Sequence, residues 1–195
     1  MDDTTRPNAP RGLGRNAANY GDREFALYLR RSFAKSMGYS RAMLDKPVVG
    51  IADTASDFNN CHRTVPELVE AVKRGVLAAG GLPMAFPTVS LCEPFLHPCS
   101  MHYRNLMALD TEALLSAQPM DAAVLIGGCD KTVPAQLMAA ASADIPAALL
   151  VVGPMLAQRF EGERLSACTD CRRYWARYRA GDVSEQRIGE IEGNL

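Results

Sequence analysis

Short apolar runs alternate with amphipathic segments along this chain, and the alternation constrains the fold more than any other feature. The apolar runs that predict strands cover residues 47–53, 83–90, 121–126 and 147–152. Segments in which apolar residues recur at helical spacing cover residues 22–37, 64–80, 103–117 and 132–143, and two further helices are predicted at 170–180 and 184–193. Continuous apolar strands that alternate with helices are typical of a parallel sheet covered on both faces. We therefore predict an α/β fold, a parallel sheet with helices on both faces.

The predicted elements divide the chain near residue 45. Residues 1–45 form an N-terminal arm and a helix, and the first 20 residues show no periodicity, so we expect a disordered or draped segment there. Residues 46–195 form the α/β domain. The sequence Thr64-Val-Pro-Glu67 fits a capping box, which predicts that the Thr64 side chain caps the following helix.

Charge and composition exclude several functions. The 21 basic and 22 acidic residues leave a net charge of −1, so no basic excess favours nucleic acid or an acidic membrane surface. No apolar run is long enough for a transmembrane helix, and the polar, acidic N-terminus does not fit a secretory signal. We expect a cytoplasmic protein, in which the six cysteines are free thiols or metal ligands rather than disulfides.

Potential metal ligands follow three of the predicted strands. Ligands of parallel sheets bind at the carboxyl ends of strands, so the residues just after each run are the first candidates. These are Asn59-Asn60-Cys61-His62 after the first strand, Cys92 and Glu93 after the second, and Gly128-Cys129-Asp130-Lys131-Thr132 after the third. Thiolates suit iron–sulfur clusters or zinc, and carboxylates suit magnesium. The alternative is that Gly128-Cys129 forms a tight turn with a buried thiol.

Other motifs carry less information. Cys168-Thr-Asp-Cys171 is a CxxC with no second ligand pair nearby, which favours two unrelated thiols over a zinc site. The three histidines are isolated from one another, so a hydrolytic zinc site has no support. The glycine patterns of dinucleotide-binding, P-loop and serine-hydrolase sites do not occur in the sequence.

Three strings carry a family resemblance: KPVVGIADTASDFNNCH, LCEPF and, most specifically, GGCDKTVPA. They resemble the dihydroxy-acid dehydratase and phosphogluconate dehydratase family, from about Lys46 to the end of the chain. CEPF followed by SMHYRNLMALD is most similar to the sugar-acid branch, such as arabinonate and xylonate dehydratases. Because family members are much longer, the resemblance implies an N-terminal portion, without the β-rich C-terminal domain.

The resemblance also implies roles for individual residues. Cys61 and Cys129 correspond to two of the three thiolate ligands of a [2Fe–2S] cluster, and the third is expected in a later motif. Glu93 and Asp130 correspond to magnesium ligands. Lys131 corresponds to a catalytic lysine that is carbamylated and then binds the same Mg²⁺. Cys168 and Cys171 do not fit the third-ligand motif, so we expect that neither binds a metal.

The implied activity is that of a hydro-lyase, which removes water from a 2,3-dihydroxy acid or aldonate to give a 2-keto-3-deoxy acid. The implied partner is a small sugar acid or dihydroxy acid, with homo-oligomers expected for the full-length family. We expect this N-terminal portion to be inactive alone. Two alternatives stay open: a non-catalytic truncated remnant, and a small α/β binding module whose cysteines are merely buried.

Overall fold

The computed structural model describes residues 10–154, 156 and 158–194. Six strands are present among these residues: Val48–Asp53 (β1), Leu82–Pro87 (β2), Ala122–Gly128 (β3), Ala147–Val152 (β4), Arg159–Phe160 (β5) and Glu163–Arg164 (β6). The described residues also form seven α-helices: Arg23–Ser36 (α1), Arg41–Leu44 (α2), Val65–Ala78 (α3), Arg104–Ala117 (α4), Cys129–Ala143 (α5), Ala167–Ala180 (α6) and Glu185–Glu192 (α7).

The first four strands form one parallel sheet in the order β2-β1-β3-β4. The chain passes from β1 outwards to β2, then crosses back to β3 on the other side of β1. The direction of winding therefore reverses between β1 and β3, which are neighbours in the sheet. The predicted α/β class with a parallel sheet is confirmed.

Helices cover both faces of this sheet because side chains of successive strand residues point to opposite sides. Ile51 packs in one core cluster with Val69 of α3. Its neighbour Ala52 belongs to the other cluster, together with Leu115 of α4 and Ala139 of α5. All five side chains are buried, and full burial of a residue such as Ile51 stabilises the fold by about 1.5–3 kcal/mol.

The described part of the N-terminal arm, from residue 10 onwards, packs on the sheet rather than extending from it. One carboxylate oxygen of Asp121 accepts hydrogen bonds from the Gly12 amide at 2.7 Å and from the Val48 amide at 2.8 Å. Leu13 is buried in the same core cluster as Val48. Of the two expectations for the arm, the draped form is therefore correct for residues 10–20; residues 1–9 lie outside the described part.

The chain divides into two compact units, with the boundary between Gly153 and Pro154. The sequence analysis placed its division near residue 45 instead. It assigned residues 154–195 to the same domain as the sheet and treated the N-terminal arm as separate. The second unit contains the antiparallel pair β5–β6 and the helices α6 and α7. Its own core consists of Phe160, Leu165, Tyr174, Val183 and Ile191.

Two local predictions were wrong. Thr64 makes no side-chain capping hydrogen bond to α3, because its backbone (φ −93°, ψ 6°) does not adopt the extended conformation that suits a side-chain cap. Helix α5 begins at Cys129, three residues before the predicted start, so the chain passes from β3 into α5 without a loop. No helix within the described ranges has the length and apolarity needed to cross a membrane.

Candidate functional site

The winding of the sheet reverses between β1 and β3, and this place is the topological switch point of the fold. Cys61 and Cys129 both lie there. Cys61 lies in a short 3₁₀ turn after β1, and Cys129 directly follows β3. These strands are neighbours, and the crevice beyond their carboxyl ends is where open α/β sheets bind ligands. Burial, followed by a hydrogen bond with the Cys61 thiol and its charge, raises the pKa of Cys129 to about 12. Two cysteines that are 68 positions apart in sequence thus lie close enough for one to affect the pKa of the other.

The backbone at Cys129 is strained. Its φ is +68°, in the left-handed region that a residue with a Cβ seldom adopts. Such conformations cost of order 1–3 kcal/mol and concentrate at functional sites. Gly128, the residue before Cys129, lies close to β4. A Cβ at this position would collide with the Val152 carbonyl oxygen, so glycine permits the approach. Gly128 therefore allows β3 to lie close to β4 immediately before the strained Cys129 backbone.

Asn59 joins the two cysteine segments. Its side-chain oxygen accepts a hydrogen bond from the Cys61 amide at 3.1 Å and lies 4.0 Å from the Cys129 sulfur. Its amide nitrogen donates to the Leu91 carbonyl oxygen at 3.3 Å, in the segment after β2. Asn59 is fully buried, so its polar atoms need these protein partners.

His62 is the second buried polar residue of the site. Its ring lies between Gly128 at the end of β3 and Ser90 after β2, with a ring nitrogen within hydrogen-bonding distance of each. Desolvation by burial is the main reason why the pKa of His62 lies below its ordinary value. The imidazole is therefore neutral at pH 7.

The oxygen ligands predicted from the sequence lie near one another at the same edge of the sheet. Glu93 accepts hydrogen bonds from both the amide of Ser100, at 2.7 Å, and its hydroxyl group. Those two bonds, the hydroxyl first, lower the pKa of Glu93, and the charge of Lys131 lowers it further. The Lys131 ammonium group is paired with Asp130, and the Lys131 side chain is only 16% exposed. Glu93, Asp130 and Lys131 are thus within electrostatic reach of one another.

The donor set matches two kinds of metal group. Cys61 and Cys129 supply soft ligands, and Glu93 and Asp130 supply hard ones. A Lys131 ammonium group would repel a cation, whereas its carbamate would add an anionic oxygen donor. Within the described ranges, no group of three or more histidine, cysteine, aspartate or glutamate side chains is arranged to hold a metal ion. The residues fit the chemistry of a cluster and of Mg²⁺, and their ligand roles stay predictions.

Three other thiols, those of Cys92, Cys168 and Cys171, differ in burial and position from those of Cys61 and Cys129. Cys92 is buried, donates to the Asn60 side-chain oxygen at 3.4 Å, and has a pKa raised by desolvation. Cys168 and Cys171 lie in the first turns of α6 in the second unit, and both are exposed. The sequence placed Asn59 and His62 in the candidate loop with Cys61, but their supporting contacts, and the role of Ser90, become visible only once burial and partners are known.

A parallel α/β domain with thiols and carboxylates at its switch point is the class that these observations define. The family described as "Dihydroxy-acid/6-phosphogluconate dehydratase N-terminal" matches residues 46–195, and the chain belongs to this family. The family resemblance predicted from GGCDKTVPA and the neighbouring strings is thereby confirmed.

Named relatives lie in both branches of the family. The chain is 40% identical to L-arabinonate dehydratase of Rhizobium leguminosarum bv. trifolii (strain WSM2304), over 95% of this chain and 32% of the relative. It is 40% identical to 6-deoxy-6-sulfo-D-gluconate dehydratase of Pseudomonas putida, over 86% of this chain and 29% of the relative. It is 38% identical to dihydroxy-acid dehydratase of Moorella thermoacetica (strain ATCC 39073 / JCM 9320), over 83% of this chain and 30% of the relative. The chain thus spans about 30% of the length of these relatives.

Proposed function

We propose that the protein is a hydro-lyase that dehydrates a sugar acid, or another 2,3-dihydroxy acid, to a 2-keto-3-deoxy acid. The observation that carries the proposal is that Cys61 and Cys129 approach the same Asn59 side-chain oxygen at the switch point. This oxygen lies 3.1 Å from the Cys61 amide nitrogen and 4.0 Å from the Cys129 sulfur. Three oxygen or nitrogen ligands, Glu93, Asp130 and Lys131, lie at the same edge. The names of the relatives, two of which act on sugar acids, support the choice of substrate class.

The two halves of the site would hold two inorganic groups. Cys61 and Cys129 would ligate a [2Fe–2S] cluster, and Glu93, Asp130 and a carbamylated Lys131 would ligate Mg²⁺. When bound, these groups supply a Lewis acid for the leaving C3 hydroxyl and a cation for the substrate carboxylate and developing enolate charge.

The protein's own residues prepare these ligands. Cys129 must lose its proton to become a ligand, and because its pKa is raised to about 12 the metal-free site keeps the thiol protonated at pH 7. Ser100 does the opposite for Glu93, since its two hydrogen bonds favour the ionised carboxylate. Carbamylation of Lys131 would remove the ammonium charge that now pairs with Asp130.

We also propose that residues 1–195 by themselves do not turn over substrate. Cys61 and Cys129 provide two thiolates, and a cluster needs further ligands to be retained. Six free thiols also favour a reducing compartment, the cytoplasm, as the place where the protein works.

The experiment is an anaerobic purification of the protein as its gene encodes it, followed by iron and sulfide analysis, visible absorption and assay. Substrates are L-arabinonate, D-xylonate and a branched 2,3-dihydroxy acid, each with Mg²⁺. We expect a coloured protein that forms a 2-keto-3-deoxy acid, and a colourless, inactive C129S variant. A colourless wild-type protein without activity would instead support the binding-module alternative.

A further inference from the structure

A buried pair of polar side chains connects all three segments that carry the candidate ligands. Asn59 and His62 are both fully buried, and both belong to the segment after β1 that contains Cys61. His62 contacts Ser90, which precedes Cys92 and Glu93, and Gly128, which precedes Cys129. The two halves of the site are therefore joined through one imidazole ring.

The shortest contact of the Nε2 atom favours one position for the ring proton. The Gly128 amide lies 2.8 Å from Nε2, and an amide N–H can only donate, so Nε2 must offer its lone pair. A proton on Nε2 could reach the Gly128 carbonyl oxygen at 3.3 Å, but it would also face the amide hydrogen across the shorter distance. The neutral ring therefore carries its proton on Nδ1, from which it donates to the Ser90 hydroxyl at 2.7 Å.

The Asn59 side chain borders the Nδ1 side of the ring. Its oxygen accepts from the Cys61 amide, so its NH₂ group points towards the Leu91 carbonyl at 3.3 Å and the Ser90 hydroxyl at 3.4 Å. The NH₂ nitrogen is also 3.0 Å from Nδ1 of His62, where the two groups are neighbours without a hydrogen bond. Ser90 is then the acceptor that both side chains share.

The Gly128 amide is the group through which His62 acts on the site. It belongs to the residue immediately before Cys129, whose φ of +68° the surrounding structure must maintain. A buried amide that lost its acceptor would be left unsatisfied, which is unfavourable, and the backbone would move to find another acceptor. The Nε2 lone pair thus opposes relaxation of the strained Cys129 backbone.

We propose that His62 is a positioning residue: held by Ser90 as the Nδ1–H tautomer, it fixes Gly128 and thereby places the Cys129 thiol against Cys61 for cluster binding. The cluster part of this inference rests on the proposed function. Outer partners of metal ligands commonly change metal affinity by 10- to 100-fold when they are removed.

Nitrogen NMR of the metal-free protein tests the tautomer directly. With ¹⁵N-labelled histidine, we expect His62 to show a protonated Nδ1 and an unprotonated Nε2 at pH 7. A protonated Nε2 would overturn the proposal, because that nitrogen could then not accept from Gly128. This measurement does not depend on whether any cluster binds.

Two variants separate positioning from packing. Gln at position 62 can place its side-chain oxygen close to the Nε2 position and keep an acceptor for Gly128, whereas Asn reaches only as far as the Nδ1 position. Both lose the ring, so we expect similar losses of thermal stability in metal-free H62Q and H62N. We expect H62N to lose bound cluster in air about 10- to 100-fold faster than the wild type, and H62Q to stay within a few-fold.

The outcomes distinguish this inference from the proposed function. Equal cluster lifetimes in both variants, whether long or short, would overturn the positioning role of His62. A wild-type protein that takes up no cluster would contradict the proposed function instead. Positioning is then judged by hydrogen exchange of the Gly128 amide: slow exchange in the wild type and H62Q with fast exchange in H62N supports it, and slow exchange in H62N overturns it.

Discussion

Gly153 lies directly against Cys61: a Cβ on residue 153 would be 2.7 Å from the Cβ of Cys61 and 3.0 Å from its Cα. Gly153 follows β4 and has a φ of +82°. The end of the fourth strand thus limits where the first candidate thiol can lie. Only glycine satisfies both the close approach and the left-handed backbone at this position.

Replacing Gly153 by alanine should displace Cys61 and weaken cluster binding. We expect the free energy of unfolding to fall by about 2–3 kcal/mol, since the backbone penalty of about 1–2 kcal/mol is joined by the collision with Cys61. The measurements are urea unfolding of the metal-free protein and iron content after anaerobic purification. The matched control is G80A, because Gly80 has a φ of +87° but a Cβ added there would have no neighbour within 4 Å. Equal iron content in the two variants would contradict the account.

Cys168 and Cys171 should not contribute to metal binding. Both are exposed on α6, in the second compact unit of the chain. We expect the C168S/C171S double variant to keep the iron content and visible spectrum of the wild type, with C129S as the variant that loses both. If the double variant lost as much iron as C129S, the ligand assignment would be wrong.

Removal of the Thr64 hydroxyl should have little effect on stability. Thr64 makes no capping hydrogen bond to α3, whereas the Asp22 carboxylate accepts from the Glu24 and Phe25 amides at the start of α1. We expect T64A to change the free energy of unfolding by less than about 0.5 kcal/mol, and D22A to lower it by about 0.5–2 kcal/mol. Urea unfolding of both variants checks this, and a larger loss in T64A than in D22A would restore the capping box.

Acid should destabilise α6 through Asp170. The Asp170 carboxylate accepts from the Ser166 amide at 2.6 Å and pairs with Arg173 at 2.9 Å. The Ser166 amide first, and then Arg173, hold the pKa of Asp170 below its ordinary value. Because the folded pKa is lowered, the stabilisation is fully present above the unfolded pKa of about 3.9 and is lost as the pH falls through the folded pKa.

Thermal unfolding followed by tryptophan fluorescence measures this effect, since Trp175 is the single tryptophan and lies on α6 itself. We expect D170N to melt below the wild type at pH 7 and the difference to shrink below about pH 4. A difference that grew on acidification would show that the sign is wrong.

The sequence predicted the elements of the sheet well because their signals are local. Apolar strand runs and helical stripes are visible in residues such as Ile51 and Val69 without knowledge of their neighbours. The ends of elements depend on backbone geometry that composition does not reveal. Helix α5 begins at Cys129, whose left-handed backbone is not visible in the composition, and the failed Thr64 cap results from a backbone that is not extended.

The candidate site was predictable only in part. The thiols and carboxylates were found because their residue types carry chemistry and because GGCDKTVPA resembles a known family. The roles of the supporting residues were not found, since they depend on long-range contacts. Ser90 lies 28 positions from His62, and Gly128 lies 66 positions from it. The close approach of Gly153 to Cys61 likewise becomes visible only in three dimensions.

The most direct test of the central claim is electron paramagnetic resonance of the protein as its gene encodes it, purified anaerobically and then reduced. Reduction of a [2Fe–2S] cluster leaves one unpaired electron, and cysteine thiolates are its usual ligands. If Cys61 and Cys129 are ligands, the wild type and C168S/C171S will give the signal of a reduced [2Fe–2S] cluster, and C61S and C129S will lose or alter it. The account is contradicted if the signal is absent from the wild type, or if it is unchanged in both C61S and C129S.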